Sequence, residues 1–400
     1  MHTPGCPFCY KRVRSSELAF QCLGKGGRNG DRCKPEHDAV RAHATGFSEP
    51  MLPVFPPPRG QQLYHQRKAE CPDCGGETGV RACPHCHTPL SANFGGNSRL
   101  IAMVGAKGTG KTVYLTVLAR ELNAGLRRRF EADVRMSGDS QAGSQSPRQW
   151  LDQNVERLFT ERQLFPTTPP AENGHRLPLV FQWRREHPRF ARKPTYRTSF
   201  LSFYDTAGET LSSQPSTHDL EYIGAADALI VLLDPFMLPA ARDRLNLPGS
   251  AIMSQESTVD VVHRVTENLR SAHGIPGGGR IKIPVAVVLA KMDAFFSALG
   301  SDHPLRQPPE ATPYYDERLG QDTHKRVGEL LSNWRGDDID IHLKYSYEDF
   351  RYFFVSALGA PPNYDTATLE DEHGVQPFRV DEPLVWLLAK FGVVPTKDPR

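Results

Sequence analysis

Six short apolar runs mark the chain beyond residue 99, at 100–104, 177–183, 200–204, 228–233, 285–289 and 352–355. Each is too short for a typical helix and is bounded by polar, Gly or Pro residues, the pattern of buried strands. Between most of them apolar residues return at helical spacing: residues 113–122 follow the first run, and Val261, Val265 and Leu269 repeat every four positions. A last helical segment spans 381–388, with Asp381 placed to cap it. Alternation of this kind predicts an α/β fold with a mostly parallel, doubly wound sheet and helices on both faces. Residues 130–176, rich in Ser, Gln, Pro and Arg, interrupt the rhythm and predict a mobile or specialised insertion.

The first hundred residues lack such runs and hold all eight cysteines: Cys6, Cys9, Cys22, Cys33, Cys71, Cys74, Cys83 and Cys86. The chain opens on Met1-His2-Thr3-Pro4-Gly5 with no cationic, apolar leader, and nowhere do about 18 apolar residues follow one another. The expectation is a cytoplasmic protein without a membrane segment, in which Cys-x-x-Cys pairs bind metal rather than form disulfides. Cys71, Cys74, Cys83 and Cys86 read as a zinc ribbon over 67–98. Cys6, Cys9, Cys22 and Cys33 read as a second zinc module over 1–40, with His37 able to replace Cys22 or Cys33. A Pro-rich stretch, 41–66, is expected to join them as a stiff linker. Two closed sites of four protein ligands are structural rather than hydrolytic.

A formal net charge of +2 gives no global field favouring nucleic acid or membrane. Lys11, Arg12 and Arg14 beside the first Cys pair offer a local site for phosphates, or a protein-docking surface. Sparse aromatic interleaving favours docking.

The sharpest chemistry lies between the first strand and the first helix, in Gly105-Ala106-Lys107-Gly108-Thr109-Gly110-Lys111-Thr112. This is a P-loop, in residues 99–400, the candidate nucleotide-binding domain. Gly105, Gly108 and Gly110 let the backbone curl so that its amides, that of Thr109 among them, meet phosphate; Lys111 reaches the β- and γ-phosphates, and the Thr112 hydroxyl ligates magnesium. Asp205-Thr206-Ala207-Gly208-Glu209 ends a later strand, placing Asp205 beside magnesium and the Gly208 amide at the γ-phosphate. Loss of that phosphate would free 209–213 to move.

With these elements in this order, residues 99–392 resemble the TRAFAC class of P-loop GTPases, the translation-factor and Ras-related proteins. The resemblance implies GTP or GDP as ligand, with Asp293 of Ala290-Lys291-Met292-Asp293 reading guanine and the Lys291 stem lying over the base. It implies that a backbone amide of Ser356-Ala357 meets the guanine oxygen, and that Thr167 or Thr168, the latter preferred, covers magnesium. Ala290 departs from the family's Asn or Thr, which braces the P-loop. Glu209 stands where Ras-like proteins carry a water-orienting glutamine, so slow hydrolysis is expected. Lys107 occupies a position commonly small in Ras-like proteins, where it either crowds the γ-phosphate, adds positive charge, or faces solvent.

The zinc modules, the insertion and the terminal helix together are similar to the bacterial double-GTPase group, also called DO-GTPases. That likeness implies a second GTPase or an effector protein as partner, in a bacterial conflict or defence system. Two other functions fit the same residues: a nucleotide-gated, nucleic-acid-binding factor, and a scaffold that holds nucleotide without hydrolysing it.

Overall fold

Few apolar residues separate the N-terminal cysteines, so the described residues before Ser98 form only short elements: β1 (Ala19–Gln21), α1 (Ala39–Thr45), β2 (Val54–Phe55), β3 (Ala69–Glu70), β4 (Glu77–Thr78), β5 (Arg81–Ala82) and β6 (Pro89–Leu90). The computed structural model describes residues 3–27, 30, 32–45, 48–57, 67–90, 94–95, 97–137, 147–165, 178–187, 195–205, 217–245, 247–251 and 257–397. β1 lies between β2 and β5, with Phe20 opposite Phe55 on one side and Arg81 on the other, in the order β2-β1-β5-β6. The Phe20 and Phe55 rings stack at 5.9 Å, and the Arg81 guanidinium lies 3.9 Å from the Phe20 ring centre. One sheet therefore draws strands from both cysteine-bearing segments. The stretch expected as a linker supplies the end of α1 and all of β2.

Three cysteine turns share one geometry. The carbonyl of Cys6, Cys71 or Cys83 accepts the N–H of Tyr10, Gly75 or His87, at 2.9, 2.8 and 2.9 Å. Each accepted residue follows the second cysteine of its pair and is left-handed, with φ of 60°, 67° and 54°. Only Gly75 adopts that conformation without steric cost. Gly27 is needed for a different reason: a Cβ there would stand 2.7 Å from the Gly75 carbonyl.

The remaining elements are β7 (Ser98–Val104), α2 (Lys111–Glu121), α3 (Arg127–Arg129), β8 (Ala132–Ser137), α4 (Pro147–Val155), β9 (Leu179–His187), β10 (Thr195–Asp205), α5 (Thr217–Ala225), β11 (Ala228–Leu233), α6 (Pro239–Arg242), α7 (Thr258–His273) and β12 (Val285–Leu289), followed by α8 (Phe296–Leu299), β13 (Tyr315–Asp316), α9 (Glu317–Asn333), α10 (Asp337–Ser346), β14 (Phe350–Phe354), α11 (Glu382–Lys390) and β15 (Thr396–Lys397). A seven-stranded, mostly parallel sheet flanked by helices runs in the order β14-β12-β11-β7-β10-β9-β8. The chain divides into two units, Met1–Leu100 with Arg135–Gln149 and Ala171–Phe203, and Ile101–Val134 with Trp150–Pro170 and Tyr204–Arg400.

In the second unit β11 pairs in parallel with β7 and β12, and β12 with β14. Every residue of β11 and β12 is buried, which is why both read as unbroken apolar runs. Helix α9 packs on β14, α11 on β12, and α7 against α5 and α10.

One expectation is overturned at the last helix. Asp381 sits at the start of α11 but makes no side-chain cap; its carboxylate pairs with Arg129 at 2.8 Å, where a guanidinium outcompetes backbone amides. Within residues 130–176 the chain forms β8 and α4. Among the described residues, no helix is long and apolar enough to cross a membrane.

Candidate functional site

β7 ends at Val104, and the Gly-rich loop 105–110 leads directly into α2. Gly108 and Gly110 are left-handed, with φ of 76° and 87°, which only glycine adopts easily. Gly105 is required by contact instead: a Cβ there would lie 2.8 Å from the Leu232 carbonyl and 2.9 Å from the Thr109 hydroxyl. That hydroxyl donates to the Ala106 carbonyl at 2.9 Å, closing the loop on itself. The Lys111 ammonium, buried in the first turn of α2, donates to the Gly105 and Ala106 carbonyls at 2.6 and 2.9 Å. Thr112 is next on the helix, so Lys111 and Thr112 stand at a helix N-terminus, where amides and the helix dipole favour an anion. Lys107 is half-buried in the same loop.

At the end of β12 the chain makes a second constellation. The Ala290 N–H donates to the Leu233 carbonyl at 3.0 Å, Lys291 is left-handed at φ 54°, and Asp293 lies in the short turn 292–295. The Asp293 carboxylate is 5% exposed and accepts the Ser356 hydroxyl at 2.6 Å. Burial pushes its pKa up, against the opposing pull of the Ser356 hydrogen bond and the Lys291 charge. Ser356 is held in turn: its hydroxyl accepts the Gly359 N–H at 2.8 Å, and its own N–H donates to the Phe378 carbonyl at 3.1 Å. Ala357 follows directly on the same loop.

Three residues of this cluster escaped the sequence reading. Asp234, one step beyond β11, pairs with the Lys291 ammonium at 2.6 Å. Phe236 lies 4.9 Å from that ammonium at its ring centre, and Tyr364 meets Phe236 edge to face at 6.0 Å. Burial first, then the charges of Asp293 and Asp234, push the Tyr364 hydroxyl up. The signal for Asp234 was available, since a carboxylate at the C-terminal end of a central parallel strand faces the ligand crevice of such sheets. Tyr364 carried none, lying eight residues beyond Ser356 in a loop.

Asp205 is the last residue of β10. Gly208, Glu209, Thr167 and Thr168 lie outside the described residues.

The cysteines form two groups of four, but not the two that spacing suggested. Cys6 and Cys9 join Cys83 and Cys86, while Cys22 and Cys33 join Cys71 and Cys74. The outer pairs enclose the inner ones, because β1 and β5 bring the beginning and end of this segment into one sheet. Neighbouring sulfurs lie 3.7 Å apart in the first group and 3.6 and 3.8 Å in the second. That is far beyond a disulfide bond. It matches the edge of about 3.8 Å expected for a tetrahedron with zinc–sulfur bonds of about 2.3 Å.

Burial pushes the Cys6, Cys22 and Cys33 thiols up, while Cys83, hydrogen-bonded first of all to Cys6, is held down. A cation held among the four sulfurs of either group would favour their thiolate forms. Each group is also the centre of its own small core, with Val13, Leu18, Leu90 and Phe94 around the first and Phe20, Phe55 and Ala69 around the second. His37 belongs to neither group and faces the Ser48 carbonyl; His87 pairs with Asp38 at 2.7 Å. The basic residues beside Cys9 are partly used locally, Arg12 on the Thr3 carbonyl and Arg14 on Glu17.

No family model matches this chain. It is 29% identical over 420 residues to a Mycolicibacterium smegmatis protein named "Putative ESX-1 scaffolding and assembly protein SaeC", covering 97% of this chain and 99% of that protein. Among solved structures it is similar to a chain of the signal recognition particle receptor SRb-GTP/SRX complex from Chaetomium thermophilum. There the identity is 15% over 66% of this chain and 93% of the other, and a TM-score of 0.26 is too low to carry a fold assignment. The likeness that spans nearly the whole chain is thus to a protein whose name speaks of scaffolding and assembly.

Proposed function

We propose that this protein binds a guanine nucleotide with magnesium through the Gly-rich loop and the Asp293 turn, and uses a zinc-bound N-terminal unit to dock a protein partner during assembly of a larger complex. The observation that carries the reading is the Asp293 carboxylate, buried and held by Ser356 at the end of a central parallel strand. A desolvated carboxylate suits a base that presents two N–H donors on one edge, as guanine does and adenine does not.

Residue roles follow from that. Lys111, Gly105, Gly108, Thr109 and Gly110 hold the phosphates; Thr112 and Asp205 hold magnesium, which when bound would neutralise phosphate charge. Thr168 is the proposed cover of that ion. The Ser356 N–H is committed to Phe378, so Ala357 is the proposed amide donor to the base oxygen. Gly208 and Glu209 are the proposed switch and water-holding residues. A carboxylate at 209 accepts hydrogen bonds without donating, so turnover is slow.

The relative's name fits a partner-docking role in assembly better than the conflict-system setting that the double-GTPase likeness implies. It equally fits a scaffold that holds nucleotide without hydrolysing it, a reading favoured by Glu209 and Ala290. Competition for labelled GTP in the presence of magnesium tests the first reading: GTP displaces the label at lower concentration than ATP, and preference for ATP would overturn it. Turnover by the wild type equal to that of Lys111→Ala would select the scaffold.

A further inference from the structure

The base-reading turn and the phosphate loop must keep a fixed separation if one nucleotide is to satisfy both. Ala290 cannot provide a side-chain link, since alanine has no hydrogen-bonding group. Resting on the proposed reading of guanine, we infer that the C-terminal end of β11 makes this link, with Asp234 as a positioning residue that sets Lys291. Three consecutive residues at that end reach the two loops. Leu232 presents its carbonyl to Gly105, so closely that a Cβ there would stand 2.8 Å away. Leu233 accepts the Ala290 N–H at 3.0 Å. Asp234 takes the Lys291 ammonium at 2.6 Å through one oxygen, while its other oxygen accepts the Phe236 N–H at 3.0 Å.

Asp234 thereby fixes both Lys291 and the ring beneath it. Lys291 is left-handed and mostly buried, a backbone that a β-carbon disfavours and a charge that needs a partner. The ion pair answers the charge and, on the proposed reading, holds the ammonium away from the base edge so that the lysine stem can lie over the base. Asp234 itself does not touch the base.

The test uses the full-length chain, a fluorescent GDP probe, and competition by GTP and ATP. Asp234→Asn keeps an oxygen for the Phe236 N–H while removing the charge that holds Lys291; Asp234→Ala removes both. Asp234→Asn is expected to weaken GDP binding about tenfold or more and to lower the GTP-to-ATP preference. In a Lys291→Ala background the same substitution is expected to change neither quantity further, because the two residues act as one unit. Should Asp234→Asn cost as much in that background as in the wild type, or leave the preference intact, the inference fails while guanine reading stands. If the wild type itself shows no preference for GTP, the functional reading fails first and takes the inference with it. Asp234→Ala serves as the control for folding: a lowered melting temperature with base preference unchanged would assign Asp234 to stability alone.

Discussion

At the scale of single residues, Asp293 makes a pH prediction. The proposed reading of guanine needs its carboxylate charged, and burial raises its pKa above the ordinary 3.8 despite the opposing Ser356 hydrogen bond and Lys291 charge. The other groups close by, Asp234 paired with Lys291 and Tyr364 whose hydroxyl stays protonated, add no compensating positive charge. Affinity for GTP is therefore expected to be lost as pH falls through that raised pKa, at a higher pH than for an exposed aspartate. Titrating the dissociation constant downward from pH 7.5 checks this, with Asp293→Asn expected to show weak, pH-independent binding. A profile flat well below pH 4 would exclude Asp293 as the base reader. Lys111 makes a second prediction. Its ammonium donates to two loop carbonyls, so Lys111→Ala removes the proposed phosphate cation and takes that donor from the Gly105 carbonyl, while the Ala106 carbonyl keeps the Thr109 hydroxyl. The expected result is loss of nucleotide binding together with a stability decrease of about 1–3 kcal/mol in chemical denaturation.

At the scale of elements, the two central strands 228–233 and 285–289 were legible to the residue, because strands buried on both faces leave no polar position to blur their ends. β10 was half-legible. Its apolar end, 200–204, was evident, but the structure extends the strand back to Thr195, where it runs antiparallel to β9 with Thr198 opposite Arg184 and Ser199 opposite Trp183. Hairpin strands tolerate polar residues that an apolar run does not reveal. The motif glycines were legible as a set, yet the sequence could not say which glycine answers to conformation and which to contact. Gly110→Ala has open space but a φ of 87°, so it is expected to cost about 1–2 kcal/mol of strain. Gly105→Ala collides with the end of β11, costs about 1–3 kcal/mol, and displaces the loop on which nucleotide affinity depends. Thermal unfolding with and without GDP separates the two, since only Gly105→Ala also disrupts the spacing between phosphate loop and base turn.

At the scale of the whole molecule, the sequence pointed to two groups of four cysteines able to hold metal but misassigned their membership. A Cys-x-x-Cys spacing states that its two sulfurs lie together; it carries nothing about which pair meets it at a sequence separation of 74 or 80. That choice is made by strand pairing, β1 with β5, and by the apolar residues that gather round each group. The two arrangements differ sharply in one variant. Replacing Cys6, Cys9, Cys83 and Cys86 together by serine removes one whole site in the nested arrangement and leaves Cys22, Cys33, Cys71 and Cys74 complete. In a sequential arrangement the same four replacements would strip two ligands from each site, and neither would hold metal. Zinc measured per chain after gel filtration is therefore expected to be two in the wild type and one in this variant. Zinc-free protein would instead restore the sequential grouping, provided circular dichroism shows the β-sheet unit around β11 and β12 still folded. Removal of zinc from the wild type by a zinc-selective chelator in excess magnesium extends the argument: each cysteine group anchors a core of only a handful of apolar residues, so zinc loss is expected to unfold β1 to β6 and α1 while GDP binding by the second unit persists.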